Sequence, residues 1–113
     1  MRFRVIVLLA TLTLSSWATA HGGHPEPVSD NKARAIAVSI AHRFAGKDPQ
    51  LGFGEMSTSW TKVGLKQSEV IRKGDGYLIV KIDNPDEESD LYILMDAAGE
   101  VYDANLTGAF EGL

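Results

Sequence analysis

The chain contains no cysteine. Disulfides, thiolate metal sites and thiol nucleophiles are therefore excluded. Small eukaryotic secreted domains are often disulfide-dense, so a cysteine-free exported domain fits a bacterial periplasm better. Histidine is scarce, with three in 113 residues. No Ser/His/Asp set or carboxylate pair stands at a spacing that suggests catalysis, which points away from an enzyme. Long apolar runs are almost missing too. Only Val5 to Leu14 qualifies, and about ten residues fall short of the roughly twenty that a membrane-spanning helix needs. Basic residues are outnumbered, eleven Lys and Arg against fifteen Asp and Glu, for a net charge of −4. That balance argues against nucleic acid and anionic membrane surfaces as partners, since both require clustered positive charge.

What is present begins with a secretory leader. Arg2 and Arg4 form a basic start, Val5 to Leu14 an apolar centre, and Ser15 to Ala20 a short polar end. Ala18-Thr19-Ala20 is a small-x-small cleavage signal, so residues 1–20 read as a signal peptide removed on export. No cysteine follows to carry a lipid. The expected mature chain begins at His21, keeps 93 of the 113 residues and is periplasmic or secreted. Loss of Arg2 and Arg4 leaves nine basic residues against fifteen acids, a net charge of −6. One domain with one modest core is the expectation at that length.

The expected first mature residues are His21-Gly22-Gly23-His24. An N-terminal histidine offers its amine and its ring Nδ1 to one metal ion, and His24 follows on a glycine tether. Cu(II), Ni(II) and Zn(II) favour such nitrogen ligands. The usual amino-terminal copper motif has histidine at the third position, whereas here it stands at the fourth. The expected mode is therefore the amine and ring of His21, with the His24 ring or backbone amides completing the set. No cofactor is required by this reading.

Residues 21–28 hold two glycines and two prolines and read as a flexible arm; residues 29–113 read as the folded domain. Ser29 is a good N-cap and Asp30 meets the positive end of a helix dipole. Ala33, Ile36, Ala37, Ile40 and Phe44 then recur at helical spacing, with Gly46 and Pro49 as a stop. One amphipathic helix over about residues 30–45 follows. Residues 46–59 lack a period and read as a loop, and Trp60 and Val63 read as anchors in a first short strand. Glu69–Lys73, Tyr77–Asp83, Leu91–Asp96 and Val101–Leu106 read as strands. Between them lie the turn cluster Gly74-Asp75-Gly76, a polar connection opened by Asn84-Pro85-Asp86, and a hairpin at Ala97-Ala98-Gly99 with a left-handed glycine. The fold class is α+β: one helix on a three- to four-stranded antiparallel sheet.

Other polar residues have ordinary explanations. His42 falls on the polar side of the helix in its last turn, where a histidine suits the helix C-terminus. The acidic run Asp83, Asp86, Glu87, Glu88, Asp90 lacks the alternation and central glycine of a calcium loop and reads as a solvated connection. Met56 and Met95 stand too far apart in sequence for a copper(I) thioether site, and Met95 reads as core. Asn105-Leu106-Thr107 matches a glycosylation sequon, which bacterial export makes idle.

Several short pieces together carry a resemblance: His21-Gly22-Gly23-His24, Pro27-Val28-Ser29, Ser59-Trp60, Ile82-Asp83-Asn84-Pro85, Leu91-Tyr92-Ile93-Leu94 and Ala104-Asn105-Leu106-Thr107-Gly108. In order and spacing the chain resembles a family of small exported bacterial proteins classed as a domain of unknown function. The resemblance covers residues 21–108 and implies a PepSY-like fold with no catalytic residues. Such proteins often carry more histidines in the arm, where this chain has Pro25-Glu26-Pro27.

Two function classes follow. One is a periplasmic accessory protein that binds a divalent transition metal through His21 and His24. The other, by analogy with PepSY-like regulatory segments beside peptidases, is a module that binds another exported protein through its sheet face or edge. Exposed aromatics such as Tyr77, Tyr92 and Tyr102 on the second sheet face would favour it.

Overall fold

In the computed structural model, residues 26–113 are described. Helix α1 (Asp30–Phe44) comes first, followed by two 3-10 turns, Thr58–Lys62 and Leu65–Gln67. Strands β1 (Ser68–Gly74), β2 (Tyr77–Asn84), β3 (Ser89–Asp96) and β4 (Val101–Asn105) then form one antiparallel sheet in sequence order. This is the α+β architecture expected, with four strands.

Local chemistry sets the helix ends. The Ser29 side chain accepts a hydrogen bond from the Lys32 amide at 3.1 Å, satisfying one of the donors that a helix start leaves free. Asp30 adds an ion pair with Lys73 of β1 at 2.7 Å, tying the helix start to the sheet. Past the C-terminus Gly46 takes a φ of +73°, the left-handed conformation that favours glycine.

Strand alternation decides which face the helix covers. Leu78, Val80 and Ile82 of β2 and Leu91, Ile93 and Met95 of β3 point inward and are buried. The register sets Leu78 beside Met95, Val80 beside Ile93 and Ile82 beside Leu91, so the inner face is built of apolar cross-strand rows. Against it α1 buries Ala33, Ala37, Val38 and Ala41. Ile36, Ile40 and Phe44 are half-buried and pack at the margin of this core. The helical period therefore places the stripe correctly, but its centre lies on alanines. Their small side chains bring the helix close to the sheet, and the larger residues close the flanks.

Trp60 and Val63 are anchors, but not in a strand. Trp60 sits in the 3-10 turn Thr58–Lys62 and Val63 caps it, with exposures of 3% and 4%. Met56 is buried in the same core, so the segment read as a loop contributes an apolar side chain to it. The ends of that segment are joined by a bridge between Ala45 and Met56. Gly46 N donates to Met56 O and Met56 N to Lys47 O, both at 2.8 Å.

Candidate functional site

His21 and His24 lie outside the described residues. The structure does describe the base of the arm that bears them. Val28 donates its backbone N–H to Ala97 O at 2.8 Å and packs against the core. A side chain at Gly99 would meet Ile36 Cδ1 at 2.9 Å and Val28. Val28 is thus seated on the β3–β4 hairpin, whose Gly99 has the expected left-handed φ of +93°. Ala97 N reaches Gly76 O at 3.2 Å, which sets the β1–β2 turn alongside.

His42 is exposed on the polar side of α1, with Nε2 2.7 Å from Val63 O. That nitrogen must carry the proton to donate to a carbonyl, and the bond pins the helix end to the turn that holds Trp60. Among the described residues, no three His, Asp or Glu side chains cluster at metal-binding distance. Asp83, Asp86, Glu87 and Glu88 are exposed, as a solvated connection should be.

Around that connection stands a polar network that no sequence periodicity foretells. Asn84, only 2% exposed, donates from Nδ2 to Ser59 Oγ at 3.1 Å and accepts from the Asp86 amide at 3.0 Å. Ser59 Oγ donates in turn to Glu87 Oε2 at 3.2 Å. Lys62 pairs with Asp86 at 3.3 Å. These contacts fasten the Trp60 turn to the β2–β3 turn. Asn84-Pro85 was legible as a turn opener, whereas its link to Ser59 spans 25 residues and has no local signal.

The outer sheet face, opposite α1, carries the tyrosines. Tyr77 is half-buried, with Arg72 over its ring at 5.5 Å. A side chain at Gly74 would fall inside that ring. Tyr92 is also half-buried, and a Cβ at Gly108 would stand 3.0 Å from its ring. Only Tyr102 is broadly open, at 65% exposure. Its hydroxyl donates to Asp96 Oδ2 at 3.3 Å. The phenol is pushed above its ordinary pKa, chiefly by the charge of Asp96. The rings of Tyr77 and Tyr92 therefore have neighbours within the chain, whereas the ring of Tyr102 stands open.

A family model, described as a family of unknown function (DUF6488), matches residues 1–109. The chain belongs to that family. No curated protein and no solved structure matches it. The DUF6488 match takes in residues 1–25 as well as the helix and the whole sheet. No described helix of this DUF6488 chain is long and apolar enough to cross a membrane. Two shallow polar depressions flank the start of β1. One is lined by Lys66, Gln67, Glu69, Lys81 and Asp83, the other by Asp30, Arg34 and Val70, with Ser68 and Glu69 shared. Arg34 spans the second, donating from Nε to Ser68 Oγ at 2.9 Å and from Nη2 to Leu65 O at 2.8 Å. These bonds fix β1 to the helix and satisfy the buried serine.

Proposed function

We propose that this chain is a non-enzymatic exported domain of PepSY-like form, whose N-terminal arm binds Cu(II), Ni(II) or Zn(II) through His21 and His24. The observation that carries the reading is His21-Gly22-Gly23-His24 directly behind Ala18-Thr19-Ala20. Cleavage after Ala20 frees an amine beside an imidazole, and a second imidazole follows on a tether of two glycines. An amine and two imidazoles form the borderline nitrogen set that these ions prefer. The seat of Val28 on Ala97 supports the reading, because it gives the arm a fixed base on a folded carrier. The short, glycine-rich tether makes for a pliable site that distinguishes poorly among the three ions.

Export and binding are tested together. Protein recovered from the periplasm of an expressing bacterium should show, by intact mass, a chain that starts at His21. It should bind one Cu(II) per chain in a spectroscopic titration. His24→Ala should weaken binding and His42→Ala should leave it unchanged. A start elsewhere, or affinity indifferent to His24, would overturn the proposal.

One observation favours the second reading, a module that binds another exported protein. Tyr102 stands open at the bulge of an edge strand, and open aromatics at an edge suit protein contacts. Loss of partner capture in Tyr102→Ser, with copper binding intact, would mark that role.

A further inference from the structure

We propose that the outer edge of β4 takes up a basic extended segment of another protein as an added strand, and that Asp103 selects for the basic charge. The inference rests on the partner-binding reading and names the partner's chemistry; it is independent of the metal-binding arm. The sheet has two edges, β1 and β4, and they differ. β1 is tied to α1 by the Asp30–Lys73 ion pair and by Arg34, which donates to Ser68 Oγ at 2.9 Å. α1 itself packs against β1 and β2. Among the described residues β4 pairs with β3 alone, so the backbone groups that it turns away from β3 meet no strand.

One of those groups is engaged by a side chain. At the head of the β3–β4 hairpin Asp96 N donates to Glu100 O at 2.9 Å. Bonding alternates along the register from that pair, which turns the N–H of Ala104 away from β3. That N–H donates to Asp103 Oδ1 at 2.8 Å. A carboxylate thus stands where the carbonyl of a further strand would. An incoming strand whose carbonyl takes this N–H displaces the Asp103 carboxylate, and a basic side chain on that strand gives the carboxylate a new partner. Charge around the edge is of one sign. Nine Asp and Glu follow Lys81 in the sequence, and no Lys or Arg does. Glu100, directly before β4, and Asp103 are both exposed. The bulge opposite Leu94 and Met95 holds Tyr102. Bulges re-aim side chains at sheet edges, and this ring, 65% exposed, lies open to a cation. A strand added to an edge gains affinity from main-chain bonds and selectivity from its side chains. The chemistry of this edge fits a strand with Lys or Arg at alternate positions.

The test is a titration of the whole folded chain with a short capped peptide that alternates lysine and threonine, followed through the chain's amide resonances. The peptide should bind, with the largest shifts over Val101–Asn105 and slower hydrogen exchange at Ala104. The same peptide with glutamate in place of lysine should bind severalfold more weakly. So should the lysine peptide N-methylated at every second residue, which keeps its charge but cannot bond along a strand. Asp103→Asn keeps an oxygen for the Ala104 N–H and should lose most of the preference for lysine over glutamate, with its fold checked by circular dichroism. Equal binding of the N-methylated peptide would reduce the effect to charge alone and overturn the strand site. Shifts centred on β1, or a chain that dimerises through β4 without peptide, would overturn it as well. Partner capture that depends on Tyr102 while no peptide reaches β4 would also overturn it, and would leave the partner-binding reading in place.

Discussion

Trp60 and Phe44 show how differently two large aromatics are used. Trp60 is 3% exposed between the helix and the sheet, while Phe44 is only half-buried at the flank. Trp60→Ala should cost about 3–5 kcal/mol, the range for deleting a buried aromatic. Phe44→Ala should cost roughly half as much, since part of its ring is already in water. Thermal and denaturant melts of the two variants would check the order, and a larger loss at Phe44 would contradict the assignment of the core. Gly74 is a different case, because a methyl group there would enter the Tyr77 ring. Gly74→Ala should displace the ring, break its stack with Arg72 and destabilise the chain by about 1–3 kcal/mol, as overpacking does. Near-ultraviolet circular dichroism and a melt would report both effects.

Among the elements, the helix was the most legible. Its cap at Ser29, its stripe and its glycine stop are local signals, and they gave its limits to within a residue. The strands were legible for the same reason, as Leu78, Val80 and Ile82 share one face while Lys81 and Asp83 lie on the other. The Trp60 turn was not legible. Five residues of 3-10 helix have no period of their own, and this turn exists because Trp60 fills the space beside α1 while Asn84 holds Ser59. Its dependence on the network can be measured. Asn84→Ala should cost about 1–3 kcal/mol, the penalty for leaving buried partners unpaired. Exchange of the Trp60 amide, bonded to Ser57 O, should quicken with it. An unchanged melt and unchanged exchange would mean that packing alone holds the turn. The tyrosines mark the opposite limit: alternation placed Tyr77 and Tyr92 on the outer face, yet it carried no sign that Gly74 and Gly108 would lie against their rings.

For the whole molecule, the proposed reading sets the chemistry on His21 and His24 and makes the folded body their carrier. Of the candidate site, the sequence supplies the donors, and the structure supplies the seat at Val28. On the proposed reading, the free amine of His21 chelates a metal together with its own ring. Protons compete for these nitrogens, since an unperturbed imidazole titrates near about 6.5 and an α-amine near about 8. Copper affinity should therefore fall steeply as pH drops below about 6. The most direct measurement is a Cu(II) titration at neutral pH of the chain starting at His21 against one with a single residue added before it. The addition turns the amine into an amide and leaves both imidazoles in place. The extended chain should bind copper at least tenfold more weakly, about 1.4 kcal/mol or more. Equal affinities would contradict it.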